Sequence, residues 1–303
     1  MAATWIDLLD PSADELRAKS PRKLEESALE LLLAAPQHED EPRPTIQGHG
    51  DYVFGVFLVV VAVPEEDCVY YQEIDVVIAH DTFLTVRKTP EGGRPPYDTA
   101  AAREAVKEGD SAGMLAYRVI DDIAERYLDL VDDLDAEIDE LEDQVESQTA
   151  ELTRQRISEL RHDMLHIRRT LAPMRDAVRR VIVNACDVEN GPEVFPHDVE
   201  VAFNAVYDKL MRALDSLDFS RDLLAGVRDY HQAQISNNQN EVMKRLTVIA
   251  SLLLVPTFIV GLYGQNFSHI PELGWRWGYW WAWGLILATT AFQLWWFRRK
   301  KWF

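Results

Sequence analysis

The residues best placed to do chemistry lie near the C-terminal end of this 303-residue chain, on a stretch almost without charge. Leu246 to Leu262 (LTVIASLLLVPTFIVGL) is wholly apolar or neutral. Along and just ahead of it, Asn240, Met243, Thr247, Ala250, Leu254, Thr257 and Gly261 recur at spacings of three and four, which puts them on one stripe of a helix. Such a stripe offers small surfaces and neutral oxygens, with no nucleophile or general base. Its chemistry is that of a wet path. The same spacing suits helix-to-helix packing, and Thr257 is placed to cap a carbonyl freed by Pro256. Spacing alone leaves both readings open. A chain with two spans cannot enclose water by itself, so a path requires several copies around an axis.

No other constellation competes. The chain has no Gly-rich phosphate loop, nucleophile elbow or His-Glu-x-x-His pattern, and no arrangement of nucleophile, base and cofactor that would make it an enzyme. His162 and His166 form an i, i+4 pair that could hold a metal, but they sit among arginines and read as surface. Cys68 and Cys186 are far apart and read as packed thiols of a reducing compartment. A formal net charge of −20 argues against nucleic-acid binding, which needs clustered Lys and Arg. It suits either a solvated acidic surface or a protein that concentrates cations.

Two apolar runs meet the length a bilayer demands, about 20 residues. The first ends near Tyr263; the second, rich in Trp, covers 277–297 and is followed by Arg298-Arg299-Lys300-Lys301. Lys244 and Arg245 precede the first run, whereas the connection carries only Arg276. The positive-inside rule then predicts cytoplasmic N- and C-termini with the loop outside, in a multi-pass protein of the plasma (inner) membrane. Tryptophans 275, 277, 280 and 281, with 295, 296 and 302, read as interfacial belts. No basic-then-apolar leader opens the chain, so the large N-terminal region is expected in the cytosol.

The elements that would position the stripe follow from pattern. Residues 1–120 read as a cytosolic α/β domain: a strand at Trp5–Leu8, helices opening at Pro11-Ser12 and at Glu25, a loop from Pro36 to Gly50, and Val/Ile-rich strands at Tyr52–Val63, Cys68–Ala79 and Thr82–Lys88. Residues 121–197 read as an antiparallel helical hairpin. Its first arm carries thirteen acids between Asp121 and Glu146 with Arg126 the only base, and its second carries Arg154, Arg156, Arg161, Arg168, Arg169, Arg175, Arg179 and Arg180. Opposite charges on successive arms predict pairing across the seam. After a break at Asn190-Gly191-Pro192, residues 198–263 read as one stalk helix continuing into the first span, about 100 Å long at 1.5 Å per residue. Residues 264–276 form the outer loop, 277–297 the second span and 298–303 a basic tail.

Tyr263-Gly264-Gln265-Asn266-Phe267, followed by Ile270-Pro271-Glu272-Leu273 and Trp277-Gly278-Tyr279, resembles the CorA family of magnesium and cobalt channels, in which Gly-Met-Asn ends the first of two C-terminal spans and a Pro-Glu-Leu loop follows. The resemblance covers most of the chain. Asn240-Glu241-Val242-Met243-Lys244 resembles the family's pore entry, Val206-Tyr207-Asp208 its stalk signature, Arg43-Pro44 its early Arg-Pro and Trp5–Leu8 its opening strand. It implies a funnel-shaped homopentamer with a ring of Asn266 amides at the outer mouth, Gly264 turning the backbone, and Glu272 raising local cation density. Met243 and Leu254 would be apolar constrictions and Asn240 and Thr257 polar rings. No resident cofactor is implied; Mg²⁺ or Co²⁺ is the cargo. Mg²⁺ sheds its waters reluctantly, so neutral oxygens that bind those waters can select it.

Two positions depart from the family pattern. The middle Met of the motif is Gln265 here, and branches that vary this position include zinc transporters, some proton-coupled. The acid that often precedes Val-Tyr-Asp is Ala205, which removes or alters a regulatory Mg²⁺ site; Asp208 or the acidic helix is the stand-in. A membrane-anchored scaffold is the remaining alternative from a different class.

Overall fold

The computed structural model describes residues 3–20, 22–35, 44–63, 68–186, 194–266 and 270–302, with the backbone alone at 68, 272 and 273. Asn190-Gly191-Pro192, Arg43 and Phe267, singled out above, lie outside the described residues. The chain divides into two compact units, residues 1–228 and 229–303.

The first unit is built on five strands: β1 (Thr4–Leu9), β2 (Thr45–Gly48), β3 (Val53–Val63), β4 (Cys68–Ile78) and β5 (Thr82–Arg87), in the order β1-β5-β4-β3-β2. Neighbours are antiparallel except β1, which lies parallel to β5 with Trp5 opposite Phe83 and Asp7 opposite Thr85. A near-continuous apolar strand is what burial on both faces requires, and β3 is buried from Val53 to Val60. One face packs on α1 (Ala13–Lys19) and α2 (Glu26–Leu33) through Leu16, Ala28, Leu32, Phe54, Val56 and Leu84. The other packs on α4 (Ala112–Gln144), which follows a short α3 (Ala100–Glu104). Ser12 and Ser111 cap the N-termini of α1 and α4 through their hydroxyls.

β2 falls inside what composition read as a loop. A short strand followed by Gly50, whose φ is +70, closes a turn to β3, and polar residues at an edge hid it. The helical hairpin also begins earlier than position 121, because Ser111 caps α4 at Ala112. Its second arm is α5 (Ala150–Ile182). Tyr127 ties three layers: its hydroxyl lies 3.1 Å from the Leu58 carbonyl of β3 and 3.1 Å from Thr170 Oγ1 of α5.

The expected charge pairing across the hairpin is only partly what forms. Arg156 meets Glu137 across the α4–α5 seam, whereas Arg154 turns to Glu151 on its own helix and Arg168 to Asp218. Asp218 belongs to the long helix α6 (His197–Tyr263). Acids of α4 are also met from α6: Lys209 Nζ lies 2.8 Å from Asp121 Oδ1 and 2.6 Å from Glu125 Oε2, and the Ser216 and Ser220 hydroxyls reach Asp135. Composition showed two charged arms, and it could not show a third helix sharing their partners.

The α2 side of the sheet contains a buried ionic cluster. Glu73 and Asp75 of β4 and Lys88 just past β5 are all nearly inaccessible. Lys88 Nζ pairs with Glu73, lies 2.9 Å from Asp75 Oδ2, and donates at 2.7 Å to the Leu31 carbonyl near the end of α2. Neither Asp75 oxygen receives a well-aligned hydrogen bond. Burial pushes the Asp75 carboxyl up to about 8, with Glu73 adding to this and Lys88 opposing it. Burial pulls the Lys88 ammonium down, but the two carboxylates outweigh it and leave it raised.

Two outcomes follow from this packing. Because Asp75 is raised in the folded state from an ordinary 3.8, its stabilising contribution is complete below about pH 4 and is lost as pH climbs to about 8. Asp75→Asn is expected to flatten that decline, which is worth at most about 1.4 kcal/mol per pH unit. Unfolding of the purified protein in detergent at several pH values, followed by far-UV circular dichroism, measures it. Gly113, in the first turn of α4, has room for hydrogen alone: a Cβ there would stand 2.4 Å from the Val194 carbonyl oxygen. Gly113→Ala is expected to cost about 1–3 kcal/mol through overpacking, read as a lowered Tm.

Candidate membrane-spanning site

The second unit contains the end of α6, a 3₁₀ turn at Pro271–Gly274 and α7 (Gly278–Arg299). Among the described residues, one helix is long and apolar enough to cross a membrane, and it is α6. Two were expected from length. α7 has 22 residues and buries none of them, but Tyr279, Trp280, Trp281, Trp283, Trp295 and Trp296 have polar ring groups that make it less apolar than α6. Its role as a second span therefore depends on more than composition.

The stripe read from spacing is present as a face. Asn240, Met243, Thr247, Ala250, Leu254, Thr257 and Gly261 are all exposed on α6, with Leu254 at 70% and Met243 at 59%. The covered positions of the same segment are Val248 and Ile259, with Ser251, Leu252, Val255 and Pro256 partly covered. At 100° per residue Val248, Leu252, Val255 and Ile259 fall on the opposite side of the helix from the stripe, with Ser251 and Pro256 at the margins. α7 reaches that covered side, where Gln293 Nε2 donates to the Ser251 carbonyl at 3.1 Å. So α6 has a covered side, which α7 meets at Ser251, and a stripe left bare.

The polar groups of the stripe are arranged in a definite way. Thr247 Oγ1 donates to the Met243 carbonyl at 2.8 Å, and Thr257 Oγ1 donates to the Leu253 carbonyl at 2.7 Å. Each hydroxyl proton is thus used on the helix itself, leaving oxygen lone pairs outward. This corrects the expectation for Thr257. Pro256 has no N–H, so the carbonyl it frees is that of Leu252, four residues earlier. Thr257 caps its neighbour Leu253 instead.

Gly264, Gln265 and Asn266 follow directly and are exposed. Gly264 N–H still bonds the Val260 carbonyl at 2.9 Å, so the helical pattern persists to that residue. The expected special turn at Gly264 is not a positive-φ one, since the described glycines with positive φ are at 50, 92, 93 and 109. A Cβ there would stand 3.2 Å from the Val260 oxygen that its own N–H binds, a spacing set by the helical turn rather than by another element. The backbone of Glu272 lies in the Pro271–Gly274 turn.

Asp208 stands elsewhere, exposed on α6 within the first unit, as does Ala205. The neighbouring Lys209 engages the α4 acids. Among the described residues no three His, Cys, Asp or Glu side chains converge as a metal site, so this single chain does not assemble Asp208 into one. The His162 and His166 rings lie 4.3 Å apart without a third such ligand. Gln293 escaped the sequence reading, which treated its helix as a bulky jacket. The signal was there: a lone amide side chain within an apolar run.

With this arrangement described, comparison with known proteins is informative. The family model "CorA-like Mg2+ transporter protein" matches residues 2–299. A putative metal ion transporter of Bacillus subtilis, YfjQ, is 28% identical over 86% of this chain and 79% of its own length. The cobalt/magnesium transport protein CorA of Thermotoga maritima is 27% identical over 86% of this chain and 73% of its own. The solved structure of the CorA magnesium transporter from Methanocaldococcus jannaschii superposes with a TM-score of 0.78 at 21% identity, covering 99% of this chain and 91% of that one. That last likeness speaks for the fold. A family match over nearly the whole length, on a chain whose most apolar helix keeps one face bare, places the protein in the CorA-like Mg²⁺ transporter family.

Proposed function

We propose that this chain is one subunit of a homopentameric channel that carries divalent cations, Mg²⁺ foremost and Co²⁺ with it, down their electrochemical gradient across the plasma membrane. The observation that carries the reading is the two-sidedness of α6 between Asn240 and Gly261. Val248 and Ile259 mark a covered side, α7 meets the helix at Ser251, and the stripe from Asn240 to Gly261 stays uncovered. In a ring of copies that bare stripe faces the axis, and α7, which buries no residue, faces lipid as the second span.

Each group then has a task. Asn266 amides at the outer mouth accept hydrogen bonds from the waters around the ion, so selection proceeds without dehydration. Gly264 brings the backbone close behind them, and Glu272 in the outer loop raises local cation density. Met243 and Leu254 are apolar constrictions that close by dewetting, with Thr247, Ala250 and Thr257 between and above them and Asn240 below. The membrane potential supplies about 2.3 kcal/mol per charge per 100 mV, enough to drive a divalent ion inward without ATP. The cytoplasmic termini follow from the basic residues at 244–245 and 298–301. Asp208 is the candidate for a regulatory contact completed by a neighbouring copy, since this chain alone gathers no such cluster.

One residue favours a second reading. Gln265 replaces the thioether of the usual motif with an amide of similar length that both donates and accepts hydrogen bonds, and a zinc transporter of the same family, coupled to protons, fits that change. Both are tested in proteoliposomes containing the purified protein, with Mg²⁺, Co²⁺ and Zn²⁺ flux measured with and without a pH gradient. The channel reading expects Mg²⁺ flux indifferent to the pH gradient and reduced at least tenfold by Asn266→Ala. Zinc flux that rises with an inward proton gradient selects the second reading. Divalent flux that Asn266→Ala leaves unchanged removes the pore assignment.

A further inference from the structure

Within the second unit, the contact between α6 and α7 contains a polar group that packing alone does not explain. Gln293 Nε2 donates to the Ser251 carbonyl at 3.1 Å, while its other end, Oε1, is buried with no hydrogen-bond partner. A half-satisfied amide in an apolar setting is a poor device for stability, because the unpaired oxygen keeps its desolvation penalty. Leu or Met at this position would pack the same helices without that penalty. Buried unsatisfied groups in native proteins call for a specific explanation.

The position of the bond suggests one. Pro256 removes the donor that would close the turn on the Leu252 carbonyl. Ser251, the residue Gln293 holds, is the immediate neighbour of that released carbonyl. One residue on, the Leu253 carbonyl takes an extra donor from Thr257. The turn of α6 from Ser251 to Leu253 is therefore the least self-sufficient part of the helix, and α7 grips it through an amide. Ala250 and Leu254, members of the bare stripe, flank the same turn.

We propose that Gln293 is a positioning residue for ion passage: its hydrogen bond to Ser251 fixes how far the proline-weakened turn of α6 bends and rotates, and so sets where Leu254 stands. The unpartnered Oε1 leaves the joint free to exchange. When the turn shifts, that oxygen can accept from a hydroxyl or water that the present arrangement does not bring to it, so the amide serves two settings of the helix. The inference rests on the reading of α6 as the wall of the ion path.

Gln293→Met tests it in the full-length protein, since Met keeps the bulk and removes the donor. Three quantities are read from the same preparation: oligomer thermal stability in detergent, Mg²⁺ flux into liposomes, and the dependence of that flux on internal Mg²⁺. The expected result is unchanged or raised thermal stability together with at least a threefold change in flux or in the internal Mg²⁺ that halves it. Ser251→Ala, which leaves the backbone acceptor in place, is expected to retain parental flux. Flux and Mg²⁺ dependence in Gln293→Met that both stay within threefold of the parent would overturn the proposal. So would a loss of flux that merely tracks a loss of oligomer stability, because that marks Gln293 as structural. Asn266→Ala run in parallel separates the two levels. If it leaves flux intact, the pore reading fails on its own account, whatever Gln293→Met does.

Discussion

A helix in hydrocarbon has to satisfy its own backbone, because there is no water to do so. α6 obeys this constraint along its apolar segment with one exception, Pro256, and the arrangement of the second unit follows from how that exception is handled. The released carbonyl belongs to Leu252, and the donors nearby come from Thr257 on one side and Gln293 on the other. The partly covered Ser251, Leu252, Val255 and Pro256 mark the side where α7 is held, and the middle of the bare stripe lies away from it. A proline in a spanning helix is tolerated when neighbours supply the missing bonds. Here neither donor reaches the Leu252 carbonyl itself: Thr257 takes that of Leu253 and Gln293 that of Ser251, so the turn around the proline is held on either side of the gap.

The first unit answers a different constraint. Its central strands are buried on both faces, so every polar group there needs a partner from within. Asp7 shows the satisfied case: Arg87 binds it through Nε at 3.0 Å and Nη2 at 2.8 Å, and Thr85 Oγ1 donates at 2.7 Å. The Glu73–Asp75–Lys88 cluster shows the costly case, two carboxylates against one ammonium. Buried ionic groups are weak evidence of stability, since the desolvation penalty rivals the attraction. Lys88 also reaches the Leu31 carbonyl, so the cluster joins the strand pair to α2.

Much of this was legible from residue pattern. Period-two and continuous apolar runs located β3, β4 and β5 within a residue or two, because a sheet buried on both faces leaves little room for polar residues. The three-and-four spacing located α4, α5 and the stripe on α6. What pattern could not reach was pairing between elements. The acids of α4 looked as though they belonged to α5, yet Lys209, Ser216 and Ser220 of α6 take some of them, and no spacing rule states which helix comes third. β2 was missed because a four-residue edge strand with one buried side chain has almost no signature. Thr257 was placed on the right turn but assigned the wrong carbonyl, since rotamer and offset decide between neighbours. Gln293 was visible as an anomaly, and its partner was not, because the partner is a backbone atom.

The back-bonded threonines have one more consequence. Thr247 and Thr257 turn their protons toward the helix, so toward the open they present only lone pairs. A hydrated cation shows the hydrogens of its waters to its surroundings, and a hydrated anion shows their oxygens. Under the proposed pore reading, a wall of such threonines receives the first kind of shell more readily than the second.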